Sequence, residues 1–218
     1  MKPIVFAIGC FFMLAGCAKH VTVRPPVSTS LGYRVFKALA EIHRYPVHVG
    51  VVIDPKLEEE TIRVTRDLGT AEIPFGQVVS AKVLQVLSYK FDRLTLVTDI
   101  SKAPPLVLTI ALEGDKPSVG VDINEHPTII TGASTFDVVA KVDARIRLTL
   151  TENGKQVWVG HARTVGEAVS GGAAYGVMEG SSQATDITNR VTDELVADLA
   201  RQMQRSEELR KFFQGKRL

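Results

Sequence analysis

The amino-acid sequence predicts an α+β domain, a two-layer sandwich in which a mainly antiparallel sheet is covered by two amphipathic helices. Three observations carry this. From Lys141 to Leu150, apolar Val142, Ala144, Ile146, Leu148 and Leu150 alternate with Lys141, Asp143, Arg145, Arg147 and Thr149, the period of a strand with one wet face. Asn153-Gly154 follows, the dipeptide favoured in a two-residue hairpin turn, and Val157 to Val165, with Trp158, supplies the return strand. Two segments carry apolar residues at helical spacing: Pro74 to Phe91 through Val79, Val83, Val86 and Leu87, and Ser181 to Met203 through Ile187, Val191, Leu195, Leu199 and Met203. Stripes of this kind are buried on one face of a sheet.

The remaining elements follow in chain order. Tyr33 to His43 is expected as a short helix, with Val35, Phe36, Leu39 and Ile42 on one side. Val47 to Ile53 is β-rich and stops at the turn signal Asp54-Pro55. Lys56 to Glu60 reads as a polar excursion. Thr61 to Thr65 and Ala71 to Ile73 suggest a small hairpin around Asp67 to Gly69. In the Pro74 to Phe91 helix, Lys82, Gln85 and Lys90 are expected largely on a face away from the apolar stripe. Leu94 to Val97 and Leu106 to Leu112 read as strands. Gly114 to Ser134 holds Gly114, Pro117, Gly120, Pro127 and Gly132 and is expected to be irregular, with at most a short strand at Ser118 to Ile123. Gly171 to Gly180 reads as a loop, and Ser206 to Gln214 as a short charged helical tail.

Composition bounds the class. The chain has 218 residues, 45% hydrophobic and 23% charged, with a formal net charge of +2. That is enough apolar material for one real core, and it leaves no electrostatic footprint for nucleic acid. Both cysteines, Cys10 and Cys17, lie near the N-terminus. The body beyond them therefore has no disulfide and no thiolate.

The N-terminal segment has its own signature. Lys2 supplies a positive start, Ile4 to Ala15 is almost wholly apolar, and charge is absent from Pro3 through Ala18. The stretch is shorter than the roughly 20 apolar residues of a membrane-spanning helix and ends in small residues, as a signal peptide does. Leu14-Ala15-Gly16-Cys17 resembles the bacterial lipobox. That resemblance implies recognition of Leu14, Ala15 and Gly16 by a signal peptidase, cleavage before Cys17, a diacylglyceryl thioether on its sulfur and acylation of its new amine. One acyl chain anchors marginally and reversibly, at about 0.8 kcal/mol per buried methylene, whereas several make attachment effectively permanent. Ala18, in place of an aspartate, points to the outer membrane, facing the periplasm. The expected division is a signal peptide over 1–16, a lipidated cysteine and flexible tether over 17–32, and one periplasmic domain over 33–218. The tether contains Pro25-Pro26 and Ser28-Thr29-Ser30 and reaches at most about 50 Å when extended.

A search for chemistry assigns no catalytic residue and no metal ligand. The sequence has no nucleophile elbow, phosphate-loop motif, His-Glu-x-x-His or Cys-x-x-Cys pair. Asp122, Glu125 and His126 offer ligand types from one expected loop, but not in a recognised zinc or calcium spacing. His43, His48 and His161 read as surface histidines. Gly171 to Gly176 lacks the Lys-Ser/Thr ending of a phosphate loop. Glu58-Glu59-Glu60 and the basic tail Lys211 to Arg217 read as solvated surface.

The export region Phe12 to Lys19, with Val191-Thr192-Asp193-Glu194-Leu195-Val196-Ala197-Asp198 and Phe212, resembles the YajG-like lipoproteins of Gram-negative bacteria. The resemblance implies a periplasm-facing, lipid-anchored α/β domain and supplies no catalytic residue. The leading expectation is a non-enzymatic envelope lipoprotein that binds an envelope protein or glycan, with no cofactor beyond the lipid on Cys17 and no nucleic-acid partner. An alternative is an accessory lipoprotein of a lipid or lipopolysaccharide transport system, with an apolar groove between the final helix and the sheet. A third is a hydrolase using carboxylates such as Asp54 and Asp122.

Overall fold

A computed structural model describes residues 21–40, 43–66, 69–114, 118–127, 134–172 and 177–216. Its main sheet contains β2 (Tyr45–Ile53), β5 (Phe91–Leu96), β6 (Leu106–Leu112), β7 (Ser118–Pro127), β8 (Ser134–Glu152) and β9 (Lys155–Gly172). β8 is the spine. One of its edges takes β6 over Ile146–Glu152 and β7 over Ser134–Asp143, while β9 runs along the other, all antiparallel. β2 joins β5 and β6 in parallel pairs, which fits its nearly continuous apolar run. The helices are α1 (Tyr33–Leu39), α2 (Pro55–Glu58), α3 (Phe75–Lys90), α4 (Val177–Arg205) and α5 (Glu207–Gln214). The expected α+β architecture, with helices on a largely antiparallel sheet, is what the chain adopts. Among the described residues no helix is long and apolar enough to cross a membrane.

The hairpin follows its turn chemistry. Asn153 and Gly154 sit at φ 48° and 81°, the positive values that match a type I′ turn to strand twist. Register then fixes the faces. Ala144, Ile146, Leu148 and Leu150 of β8 and Trp158 and Ala162 of β9 are buried under the helices, whereas Arg145, Arg147, His161 and Arg163 are exposed on the opposite face. From α4, Ile187, Val191, Leu195, Leu199 and Met203 enter the core, as the spacing predicts.

Several expectations change. The polar excursion at Lys56 contains α2, capped by the Asp54 carboxylate, which accepts from the Lys56 N–H at 2.8 Å, and its Leu57 is fully buried. The small hairpin forms, as β3 (Ile62–Arg66) with β4 (Gly69–Ile73). The stretch after Gly114 contains the ten-residue β7 rather than a short strand, because β8 offers its edge over Ser134–Asp143. The charged tail is also packed: α5 buries Leu209 and Phe213, and the Phe213 ring stacks on Tyr45 with centroids 4.2 Å apart.

The largest change concerns the lysines of α3. Lys82 and Lys90 are each only 1% exposed, not on a wet face. Lys82 Nζ donates to Asp193 Oδ1 at 2.8 Å and to Thr192 Oγ1 at 2.9 Å. The same Asp193 oxygen accepts the Gly32 N–H at 3.3 Å. Much of the segment expected as a free tether is thereby bound. Val21–Val23 forms β1, parallel to Gly69–Ala71. Arg24 pairs with Glu72 at 3.2 Å, and the Ser28 N–H donates to Asn189 Oδ1 at 3.2 Å. Gln85 Nε2 donates to the Thr29 carbonyl at 2.7 Å, and Leu31 is buried. Gly32 has to be glycine, because a Cβ there would lie 2.0 Å from Asp193 Oδ2.

Lys90 has no carboxylate partner among the described residues. Its ammonium reaches the Met203 carbonyl at 3.4 Å and lies 4.7 Å from the centre of the Tyr45 ring. Burial, with a smaller contribution from the Arg210 charge, pushes its pKa down to about 8.

Asp193→Ala is expected to cost about 3 kcal/mol, because it leaves the Lys82 charge buried and uncompensated, while Lys82→Met with Asp193→Leu should recover most of that loss. Urea denaturation of the wild type and the two variants checks this. Lys90 binds its proton less tightly when folded than when unfolded. Its penalty is therefore full below about pH 8 and fades as pH rises toward the unfolded value near 10.4. Lys90→Met is accordingly expected to be stabilising by about 2 kcal/mol at pH 7, with the advantage shrinking between about pH 8 and 10 in parallel melts.

Candidate functional site

Leu14, Ala15, Gly16 and Cys17 lie outside the described residues. The other sequence candidates fall on several different elements. Asp122, Glu125 and His126 sit on β7, opposite Val139, Phe136 and Thr135 of β8, rather than in one loop. Asp54 is occupied as the α2 cap, on a different element from Asp122. His48 Nε2 pairs with Thr95 Oγ1 at 2.8 Å, and His43 meets Tyr45 edge-on at 5.5 Å. Gly171 and Gly172 belong to β9, opposite Asp137 and Phe136, and residues 173–176 lie outside the described set. Among the described residues no three His, Cys, Asp or Glu side chains gather as metal ligands.

Two polar features do converge, on either side of β9. On the open face of the sheet, Arg145 stands directly opposite Arg163, and Arg147 opposite His161. The block is built by strand alternation alone, since the intervening Ala144, Ile146 and Ala162 point into the core. Asp143 tempers one pair. Arg163 donates to its two carboxylate oxygens at 3.2 and 2.7 Å, and Arg145 approaches at 3.9 Å. The Arg163 hydrogen bonds hold the Asp143 carboxyl below its ordinary range. His161 Nδ1 lies 2.8 Å from Glu113 Oε1. Arg147 is exposed and makes no ion pair among the described residues.

On the helix side, Trp158, Asp198, Arg201, Gln202, Arg205 and Ser206 line an open cleft of about 330 Å³. In its wall, Asp198 accepts from Gln202 Nε2 at 2.8 Å and from Arg201 at 3.4 Å. Among the described residues, the α4 side chains that face the sheet, from Ile187 to Met203, are packed into the core. Gln202 has a second role. Its amide donates to the His161 carbonyl at 2.6 Å and accepts the His161 N–H at 3.1 Å. The side chain thus makes the two bonds that a neighbouring strand would make, and it covers part of the free edge of β9.

No family model matches this chain, and no curated protein does. Solved structures resemble it at low identity. A homologue of a neuraminyllactose-binding hemagglutinin from Helicobacter pylori aligns over 80% of this chain and 94% of its own, with 14% identity and a TM-score of 0.45. A minor lipoprotein from Acinetobacter baumannii aligns over 74% and 93%, with 9% identity and a TM-score of 0.36. For the uncharacterized lipoprotein B from Nitrosomonas europaea the figures are 80% and 89%, 12% and 0.32. At these values the likeness bears on neither the activity nor the partner of this chain.

Removing the Gln202 amide should expose the edge at one position. In Gln202→Ala the His161 amide is expected to exchange with solvent about tenfold faster, the equivalent of losing a hydrogen bond of about 1.4 kcal/mol. Exchange at Ala144 and Ile146, deep in the ladder, should be unchanged in the same mass-spectrometric or NMR measurement.

Proposed function

We propose that the chain is a lipid-anchored envelope lipoprotein, facing the periplasm from the outer membrane, whose body is a non-enzymatic binding module for an envelope protein or glycan. The observation that carries this reading is the strap. The lipobox puts the lipid on Cys17, and the body already holds the chain at Val21 through β1. Four peptide steps span at most about 14 Å, so Val21, on the edge strand beside β4, stays within that distance of the lipidated residue. A domain tied this closely serves a partner at the same membrane. The finer assignment to the YajG-like lipoproteins rests on the export region and the α4 sequence.

The transport-accessory reading requires an apolar groove under α4, where the described sheet-facing side chains are packed into the core. The hydrolase reading required carboxylates that converge, and Asp54 and Asp122 stand on separate elements.

Cys17→Ser is expected to give an unprocessed or soluble product without lipid label. Fractionation of labelled cells checks this. A Cys17→Ser chain recovered from the membrane fraction as a mature, lipid-labelled protein would overturn the anchoring. For the binding role, crosslinking in the native host should recover an envelope component with the wild-type chain, and turnover of an envelope substrate without any captured partner would contradict it.

A further inference from the structure

The basic block on the open face of the sheet has no part in the anchoring. Across the strands its paired side chains start about 5 Å apart, and along each strand the next one lies about 7 Å away. Arg145, Arg147, Arg163 and His161 thus mark the corners of a small rectangle on a rigid, hydrogen-bonded surface. Like charges placed directly opposite each other destabilise a sheet. Here the described carboxylates offset only part of that repulsion. Asp143 serves Arg145 and Arg163, Glu113 serves His161, and Arg147 keeps its full complement of donors. Beside Arg147 on the same face, Thr149 stands opposite Thr109 of β6. Both threonines are partly exposed and place hydroxyl donors next to the guanidinium.

An anion seated on this rectangle would relieve the repulsion while meeting fixed donors. Planar guanidinium forks suit the paired oxygens of a phosphate, and the bonds are charge-assisted. We propose that Arg145 and Arg147, supported by Arg163, His161 and the Thr109–Thr149 pair, form a binding site for a phosphate-bearing ligand. This deepens the binding role above by naming the chemistry recognised. The ligand comes either as a soluble phosphate compound or as a phospholipid headgroup of the membrane to which the chain is tied.

The test uses the full mature chain in nanodiscs of phosphatidylcholine, titrated with inorganic pyrophosphate in a calorimeter. Wild-type protein should bind, and should weaken as salt is raised from about 50 to about 200 mM. Arg147→Gln should lose about tenfold in affinity and Arg145→Gln with Arg147→Gln about 100-fold, each with a shallower salt dependence. Arg147→Lys, which keeps the charge but not the fork, should fall between wild type and Arg147→Gln. Arg201→Gln, in the cleft across β9, should stay within about twofold of wild type. Unchanged melting temperatures show that these exposed substitutions leave the fold intact. Replacing part of the phosphatidylcholine with phosphatidylglycerol separates the two sources. Competition with pyrophosphate identifies the headgroup as ligand, and an unchanged affinity identifies a soluble phosphate. Wild-type protein that fails to bind pyrophosphate at low salt, or a double variant that binds as wild type does, overturns the site. If the anchoring were wrong, the chain would simply be titrated in buffer, and the Cys17→Ser fractionation would report that failure separately.

Discussion

An ammonium group buried to 1% exposure costs several kcal/mol unless a charge meets it. Lys82 meets that requirement with Asp193 at 2.8 Å, and the geometry of the pair organises three separate parts of the chain. Lys82 belongs to α3 and Asp193 to α4, so the contact helps set how the two long helices lie on the sheet. The same carboxylate oxygen takes the Gly32 N–H, which fixes where the N-terminal strap turns into α1. Neighbouring groups then join in: Asn189 Oδ1 accepts from the Ser28 N–H, Gln85 Nε2 donates to the Thr29 carbonyl, and Arg34 of α1 pairs with Glu194. Glu194 in turn accepts from Thr164 of β9 at 3.0 Å. A line of polar contacts therefore runs from the strap through α4 to the last strand, flanked by an apolar core.

The regular elements were legible wherever one periodicity acted alone. The alternation in β8, the Asn153-Gly154 turn and the apolar stripe of α4 specify their conformations locally, and the structure follows them. The misread elements were decided by distant partners. β7 contains Gly120 and Pro127 and has little local claim to be a strand, but an unpaired edge of β8 completes it. The strap has no periodicity because its bonds go outward, one residue at a time, to β4, α3 and α4. Lys82 and Lys90 looked wet on chemical grounds alone. Their spacing told otherwise, since Lys82 lies three residues after Val79 and four before Val86, and Lys90 four after Val86. Both are therefore within the buried stripe.

The candidate site divides in the same way. That Arg145 and Arg147 share the wet face of a strand follows from the alternation. What the sequence does not disclose is the pairing. A hairpin register of one residue more or less would have placed Arg163 and His161 in the core. The Asn153-Gly154 turn pairs Glu152 with Lys155 and Thr151 with Gln156, and a bulge before Trp158 then shifts the pairing by one residue, so the turn and the bulge together set Arg145 opposite Arg163 and Arg147 opposite His161. The cleft was less accessible still. It is assembled from Trp158 and the end of α4, residues about forty positions apart.

The way β1 joins the body also has a mechanical consequence. β1 runs parallel to β4 and is held by three registered residue pairs. A tug along the strand axis from the N-terminal side loads those rungs together, in shear, before tension passes along Arg24 to Leu31 and reaches Gly32. Resistance then comes from the Arg24–Glu72, Ser28–Asn189 and Thr29–Gln85 contacts and, at Gly32, from the Asp193–Lys82 pair in the interior. A domain fastened this way takes up a pull on its N-terminal side as strain shared between a sheet edge and its core.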